Sequence, residues 1–157
     1  MRTATDADGP SIGRLIADVF AEYGGCAFAI HEFPELKGVA SHFAARGGTI
    51  WAVEQAGRVA GTLAVARSAA EPDAFELFKV YLALDLRGRG IAAGLLERAI
   101  DFAKARGAAS LVLWTDTRFL DGHRFYERHG FRREPGIRAL HDVSVSLEYR
   151  YRLDLTR

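Results

Sequence analysis

The beginning of the chain contains two stretches in which apolar residues recur at the spacing of an α-helix. A helix capped by Asp8 and ended by Gly24-Gly25 would carry six apolar residues on one face, namely Ile12, Leu15, Ile16, Val19, Phe20 and Tyr23. A second stripe, stopped at Gly47-Gly48, consists of Leu36, Val39, Ala40 and Phe43. The pattern predicts two amphipathic helices, preceded by a short strand at residues 2–5.

Three runs of β-forming residues follow these helices. They cover residues 49–54, 59–67 and 75–84, and the first two are separated by residues 55–58, which are typical of a hairpin turn. We therefore expect an antiparallel meander.

A helical stripe then begins at Ile91 and is closed by Gly107. It is followed by a short apolar strand at residues 111–114. Because a helix separates this strand from the run at 75–84, the two strands should pair in parallel.

The last part of the chain predicts a short helix and two strands. Asp121 should cap the helix, which ends at Gly130, and the strands should cover residues 131–134 and 143–155. Taken together, the elements predict one α+β domain over residues 1–157, with a mixed, mostly antiparallel sheet flanked by helices on both faces.

The composition of the chain limits the partners and the cellular location that we expect. The chain has 157 residues, with 21 basic and 20 acidic side chains and a net charge of +1, so no overall field favours nucleic acid or a membrane surface. The single cysteine, Cys26, cannot form an internal disulfide, and no apolar run approaches the roughly 20 residues of a membrane span. We expect a cytoplasmic protein.

The most informative stretch is the turn Arg87-Gly88-Arg89-Gly90-Ile91-Ala92, which lies between an apolar run at residues 80–84 and the helix that begins at Ile91. Glycines let the backbone approach a ligand, and the N–H groups and dipole of a helix start favour an anion. The turn is therefore a candidate phosphate site.

Three other interpretations of this turn compete. Gly88-x-Gly90-x-x-Ala93 fits the dinucleotide pattern, with Asp116 as a ribose-binding acid, but antiparallel strands precede it and the chain has no room for two nucleotide-binding halves. A Walker-type loop lacks its Gly-Lys-Ser or Gly-Lys-Thr. A purely structural turn would need no flanking arginines.

Two motifs resemble the GCN5-related N-acetyltransferase (GNAT) family. Arg87-x-x-Gly90-x-Ala92 matches its acetyl-CoA motif, and the stretch from Phe125-Tyr126 to Gly130-Phe131 matches its later tyrosine and Gly-Phe motif, in the right order and spacing. The resemblance implies an acyl-CoA N-acyltransferase-like fold. It also implies acetyl-CoA as donor, with the pyrophosphate on the N–H groups of residues 87–92 and the pantetheine arm along residues 80–82.

The resemblance further implies a set of cofactor-binding residues, namely Val80, Tyr81, Leu82, Arg87, Gly88, Arg89, Gly90, Ile91, Ala92, Phe119 and His123. The chain departs from the family at two of the usual positions. Phe119 replaces an asparagine and Gly122 replaces an alanine, so one side-chain contact to the cofactor differs.

Acyl transfer to an amine needs a base, a stabilised oxyanion and a stabilised leaving thiolate. By resemblance, Tyr126 faces the CoA sulfur as acid or thiolate stabiliser, and the backbone near Leu82 holds the oxyanion in a gap between the strands at 80–82 and 111–115. Glu76 is the first candidate base and Asp116 the second, although either carboxylate can equally be solvated or salt-bridged.

The histidines and Cys26 have no metal-ligand spacing, so we expect no metal. The loop at 24–35 and residues 138–142 should recognise the acceptor. The sequence thus predicts an N-acetyltransferase acting on a primary amine of a small molecule, by direct attack on the thioester. The alternative is a non-catalytic acyl-CoA-binding module. The final strand, with Tyr149 and Tyr151, suggests a possible homodimer.

Overall fold

A computed structural model describes all 157 residues. The helices are α1 (Gly9–Phe20), α2 (Val39–Ala45), α3 (Ile91–Ala105) and α4 (Leu120–Arg128). The strands are β1 (Arg2–Thr3), β2 (Thr49–Gln55), β3 (Arg58–Arg67), β4 (Ala74–Leu82), β5 (Ser110–Asp116), β6 (Arg132–Ala139) and β7 (Leu147–Asp154).

All seven strands form one sheet in the order β1-β2-β3-β4-β5-β7-β6. Every neighbouring pair is antiparallel except β4 and β5, which are parallel and connected by α3. The predicted meander, the β-α-β unit and the mostly antiparallel sheet are confirmed.

The helices cover two faces of the sheet, and each face has its own core. One core contains Leu95 and Leu96 of α3 together with Tyr126 of α4. The other contains Ile12 and Ile16 of α1 with residues of α2. The α+β architecture with helices on both faces is therefore confirmed. None of these helices combines the length and the apolar character needed to cross a membrane.

The parallel pair is short, and this creates the main opening of the fold. β4 pairs with β5 only from Ala74 to Glu76, opposite Ser110 to Val112. Beyond this point β5 pairs with β7 alone. The two strands separate, which leaves a gap beside the second half of β4.

A bulge shapes β4 beside this gap. Phe78 lies opposite Ala64, but Tyr81 lies opposite Thr62, so β4 holds one residue more than β3 between these pairs. Lys79 adopts a φ of +51°, and the Thr62 hydroxyl donates to its carbonyl at 2.6 Å. The extra residue reverses the direction of the side chains that follow it.

Two predicted boundaries of helices were wrong. α1 ends at Phe20, and Tyr23 lies beyond it, because the chain tightens there into i to i+3 bonds such as Tyr23 N–H to Phe20 O at 3.0 Å. Asp121 does not cap α4. It lies inside the first turn and pairs with Arg124 at 3.0 Å, while Phe119 occupies the N-cap position.

The last two strands also differ from their predicted bounds. β6 continues past Pro135 to Ala139, because a second bulge absorbs the proline. β7 begins at Leu147, not at residue 143. The preceding residues form a turn, in which Val145 has a φ of +48° and the Ser146 N–H donates to an Asp142 carboxylate oxygen at 2.7 Å.

Candidate active site

A cleft of about 930 Å³ opens at the gap between β4 and β5. Its walls are the end of β4, the turn before α3, the start of α3 and the inner face of α4. Ten of the predicted site residues line it, namely Val80, Tyr81, Leu82, Arg87, Gly88, Gly90, Ile91, Ala92, Phe119 and Tyr126. Four predicted residues lie outside the lining: Glu76, Arg89, Asp116 and His123.

The turn before α3 has the geometry of an anion site. Gly88 and Gly90 adopt φ angles of +75° and +77°, and no atom lies within 4 Å of the place where a Cβ would stand at either residue. The glycines are therefore required by backbone conformation and not by a close contact. The first N–H groups of α3 have no partner inside the helix, and Ile91, Ala92 and Ala93 line the cleft. The helix dipole favours phosphate at this end.

The guanidinium of Arg87 already has partners within the chain. Its Nε and Nη2 donate to the Leu82 carbonyl at 3.0 and 2.9 Å. Its Nη1 and Nη2 also donate to the two carboxylate oxygens of Glu22, at 2.6 and 2.8 Å. The side chain thus ties the end of β4 to the segment after α1. It supports the shape of the turn more directly than it offers a free charge.

The second half of β4 presents two different surfaces to the gap. Because of the bulge, Val80 packs against the core under α3, whereas Tyr81 packs against the core under α1. The backbone edge that faces the gap has lost its β5 partner beyond Glu76. Free backbone groups on such an edge can bond an extended ligand.

Tyr126 reaches the cleft from α4. Only 6% of its surface is exposed, and its ring centroid lies 5.6 Å from that of Phe131 and 5.9 Å from that of Tyr151. Burial raises the pKa of Tyr126 well above its usual range. The residue therefore packs in the core and lines the cleft at once, and its phenol keeps its proton at neutral pH.

Phe119 gives the cleft an aromatic wall where the resemblance implies an amide. Its ring centroid lies 4.8 Å from that of Tyr23 and 6.1 Å from that of Phe20. The other departure, Gly122, leaves room for the methyl group of an alanine. A Cβ there would lie 3.8 Å from Phe119 Cβ and 3.8 Å from Tyr126 Cε2, which is ordinary contact distance.

Glu76 lies at the point where the parallel strands part, opposite Val112. Its carboxylate is half-buried, and burial raises the pKa of Glu76 although the positive charges of Arg138, Arg46 and Arg150 oppose this effect. Arg138 and Arg150 form ion pairs with other carboxylates. Glu76 is left as a desolvated carboxylate without an ion-pair partner.

Asp116 is the last residue of β5, and not a residue beyond the strand as the sequence suggested. Arg118 holds its carboxylate through Nε at 2.9 Å and Nη2 at 2.7 Å. Burial acts to raise the pKa of Asp116, but the hydrogen bonds from Arg118 outweigh it and lower the pKa. His123 is buried beside it, with Nε2 2.8 Å from the Asp116 carbonyl oxygen. His123 thus ties α4 to the end of β5.

Sequence reasoning missed several residues of the lining. They are Val19 and Tyr23 near the end of α1, Thr62 and Leu63 of β3, Ala93 and Leu95 of α3, and Asp121, Arg124, Phe125, Glu127, Arg128 and His129 of or next to α4. The spacing of four between Arg124 and Arg128 was the one local signal for the last group. Tyr23 lies just beyond the end of α1 at Phe20, and its place in the lining depends on where that helix ends.

The loop at 24–35, which was predicted to recognise the acceptor, contacts residues 143 and 144, just after the second predicted stretch at 138–142. The Ala27 N–H donates to Ser144 Oγ at 2.8 Å, and the Ser144 hydroxyl lies 3.1 Å from the Ala27 carbonyl. The Val143 N–H donates to a Glu32 carboxylate oxygen at 2.8 Å. The contact joins residues 117 and 111 positions apart in the chain. Next to it, the rings of Phe28 and Phe33 stack at 5.2 Å.

The sequence comparisons agree on one family. The sequence profile of the acetyltransferase (GNAT) family matches residues 16–131. A protein of Escherichia coli (strain K12) named uncharacterized N-acetyltransferase YjgM is 33% identical over 135 residues, 83% of this chain and 80% of that protein. The N-acetylaspartate synthetase of Danio rerio is 34% identical over 87 residues, which cover 55% of this chain but only 30% of the synthetase.

Comparison with solved structures confirms the predicted acyl-CoA N-acyltransferase-like fold. A GNAT acetyltransferase of Staphylococcus aureus Mu50 superimposes with a TM-score of 0.82 at 18% identity, over 98% of this chain and 97% of the other. The yncA protein of Salmonella typhimurium, solved with its cofactor acetyl-CoA, has a TM-score of 0.74 at 18% identity, over 99% and 93% of the two chains. Fold and sequence agree, and the chain belongs to the GNAT family of acetyltransferases.

Proposed function

We propose that the protein transfers the acetyl group of acetyl-CoA to a primary amine of a small molecule, by direct attack of the amine on the thioester. One observation carries this proposal. The gap between β4 and β5 has an anion-binding helix start at its edge and the Tyr126 phenol in its wall. A thioester held in such a gap is reachable by an amine that comes from the α1 side.

The donor site follows from the backbone. The pyrophosphate would lie on the N–H groups at the start of α3, and the pantetheine arm would run along the free edge of β4 at residues 80–82. The acetyl-CoA bound by the Salmonella protein supports this choice of donor. The polarising groups for the developing oxyanion would be backbone N–H groups near Leu82.

Tyr126 would stabilise the departing thiolate by donating a hydrogen bond. A phenol with the ordinary pKa of about 10 is already a weaker acid than a thiol with a pKa of about 8.5. Burial raises the pKa of Tyr126 further, so full proton transfer becomes more unfavourable. A hydrogen bond stabilises the thiolate without that transfer, and the proton can reach the sulfur later from solvent.

Glu76 is the better of the two candidate bases. It has no ion-pair partner and its pKa is raised by burial, which brings a carboxylate closer to the pKa that a base needs at neutral pH. Asp116 is bound to Arg118 and its pKa is lowered, so it is the weaker base. Because Glu76 lies outside the cleft lining, it would act on the amine through water.

The experiment that tests this function is release of the CoA thiol with a set of amines. The set should contain 2-phenylethylamine, L-phenylalanine, spermidine and L-aspartate, the last because one relative is an N-acetylaspartate synthetase. We expect turnover with at least one amine, and a fall in kcat of about tenfold or more in Tyr126→Phe, since one charge-assisted hydrogen bond is worth about 1.5–3 kcal/mol. Tyr149→Phe, on β7 and outside the cleft lining, is the control.

A non-catalytic acyl-CoA-binding module is the second candidate function. The observation that favours it is Phe119, which packs against Tyr23 where the family resemblance implies an asparagine. Tight CoA binding without acetylation of any amine, together with no effect of Tyr126→Phe on CoA affinity, would establish the binding module and exclude the enzyme.

A further inference from the structure

The side chain of Tyr81 has a position that the family resemblance does not explain, since the resemblance assigns only its backbone. In an unbroken strand, residue 81 would point to the same face as Phe75 and Leu77, which pack under α3. The bulge at Lys79 reverses this, and Tyr81 points to the face covered by α1. Tyr81 lies on the part of β4 that no longer pairs with β5.

Tyr81 and Tyr126 therefore reach the same cleft from opposite faces of the sheet. Both line it, the first from the α1 face and the second from α4 on the α3 face. The Tyr81 ring is held edge-on by Phe20, with centroids 6.2 Å apart. Of the tyrosine hydroxyls, only that of Tyr151 bonds another side chain, Glu127 at 3.2 Å. The hydroxyls of Tyr81 and Tyr126 remain available to a ligand.

The carboxylates that influence Tyr81 are each engaged in an ion pair within the chain. Three carboxylates act electrostatically on its phenol, those of Glu148, Glu35 and Asp116. Each has a cation: Glu148 pairs with Arg138 at 2.6 Å, Glu35 with Lys79 at 2.5 Å, and Asp116 with Arg118 at 2.7 Å. On this side of the gap, the phenol is a polar group with unused hydrogen-bonding capacity that also lines the cleft.

We propose that the Tyr81 hydroxyl binds and orients the acceptor amine, by accepting a hydrogen bond from its N–H. This inference rests on the proposed function and deepens it. The amine nitrogen forms a bond to the acetyl carbon, the carbon–sulfur bond breaks, and the electron pair leaves on the sulfur that Tyr126 faces. The amine proton leaves through water toward Glu76, and Tyr81 gains and loses no proton.

A neutral phenol suits this role. Burial and the neighbouring Tyr126, Glu148, Glu35 and Asp116 all raise the pKa of Tyr81, so the hydroxyl stays protonated across the neutral range. A protonated phenol can accept from the amine while donating to water. It does not attract a cation strongly, so the expected acceptor is a neutral amine, held in line with the thioester carbon.

The test compares Tyr81→Phe with the wild-type protein, using the best amine of the thiol-release set. The variant keeps the ring and its contact with Phe20. We expect kcat/KM for the amine to fall about tenfold, since a buried polar partner left without its bond costs about 1–3 kcal/mol. The Kd for CoA, measured by calorimetry, should change less than about twofold, a result that also shows the variant is folded. Tyr149→Phe should match the wild type in both measurements.

The ratio of wild-type to Tyr81→Phe activity should stay constant between pH 6.5 and 9, roughly the range below the ordinary tyrosine pKa. A ratio that grows with pH would mean that Tyr81 ionises and would overturn the neutral role. Unchanged kcat/KM for the amine, with an active wild-type protein, would overturn the Tyr81 proposal alone. A wild-type protein that binds CoA but acetylates none of the amines would overturn both proposals.

Discussion

The two sides of the gap between β4 and β5 offer different chemical groups to a ligand. The proposed donor side consists of the turn before α3 and the free edge of β4, and it offers mainly backbone N–H and C=O groups. The proposed acceptor side consists of Tyr81 and the loops that meet at Ala27 and Ser144, and it offers side chains. Backbone groups suit a cofactor that many proteins share, whereas side chains can be exchanged to suit one acceptor.

The two sides should also respond differently to single substitutions. On the donor side, a substitution must alter the path of the backbone to change binding. On the acceptor side, removal of one hydroxyl is enough. Disruption of the donor side should therefore have the larger effect and should be seen in CoA affinity, while disruption of the acceptor side should be seen in the KM for the amine.

The largest effect is expected from Gly90→Val. Gly90 has a φ of +77°, and a β-branched residue is strained there by roughly 1–2 kcal/mol or more. Because relief of this strain moves the N–H groups of the turn, CoA affinity measured by calorimetry should fall at least about tenfold.

Gly57→Val is the matched control for this substitution. Gly57 also has a φ of +77° with no atom within 4 Å of its missing Cβ, but it lies in the hairpin turn between β2 and β3. Its variant should lose similar stability in urea and keep its affinity for CoA. Equal losses of affinity in the two variants would show that strain itself, and not the anion site, governs binding.

The local geometry of the proposed donor side was largely predictable from the sequence, whereas the contacts that build the proposed acceptor side were not. The turn at residues 87–92 is marked by local signals, because glycines at positive φ and a helix start are encoded by neighbouring residues. The contact of Ala27 with Ser144 joins residues 117 positions apart, and no local pattern encodes it. Sequence spacing also could not show the bulge at Lys79, which decides where Tyr81 points.

The same contrast explains the candidate residues that changed in importance. Asp116 looked available because it follows an apolar strand, but Arg118, two positions on, occupies its carboxylate. Arg87 looked like a phosphate ligand, but it pairs with Glu22, which is 65 positions away. The sequence shows that Asp116 and Arg87 are charged. It does not show which residue forms an ion pair with each of them, because tertiary structure decides that.

A smaller effect is expected from Glu22→Ala, which asks how Arg87 acts on the donor side. If the pair braces the turn, loss of Glu22 should weaken CoA binding about two- to fivefold, because a partly exposed ion pair is worth up to about 1 kcal/mol. We expect this result by calorimetry. Tighter binding would show instead that Glu22 competes with phosphate for Arg87. Glu54→Ala, which removes a carboxylate from Arg2 on the far edge of the sheet, is the control.

The smallest effect is expected from Ser144→Ala on the acceptor side. The substitution removes the hydroxyl that accepts from the Ala27 N–H and contacts its carbonyl, so the two loops should separate more easily. Loss of a partly buried hydrogen bond costs about 0.5–1.5 kcal/mol. The KM for the best amine should therefore rise about threefold, while the Kd for CoA stays the same. Ser68→Ala, whose hydroxyl accepts from Glu71 N–H at 3.1 Å outside the cleft lining, controls for the loss of a serine. If Ser144→Ala weakened CoA binding as much as amine binding, the two sides of the gap would not be separable, and the division between a backbone-built donor side and a side-chain-built acceptor side would have to be abandoned.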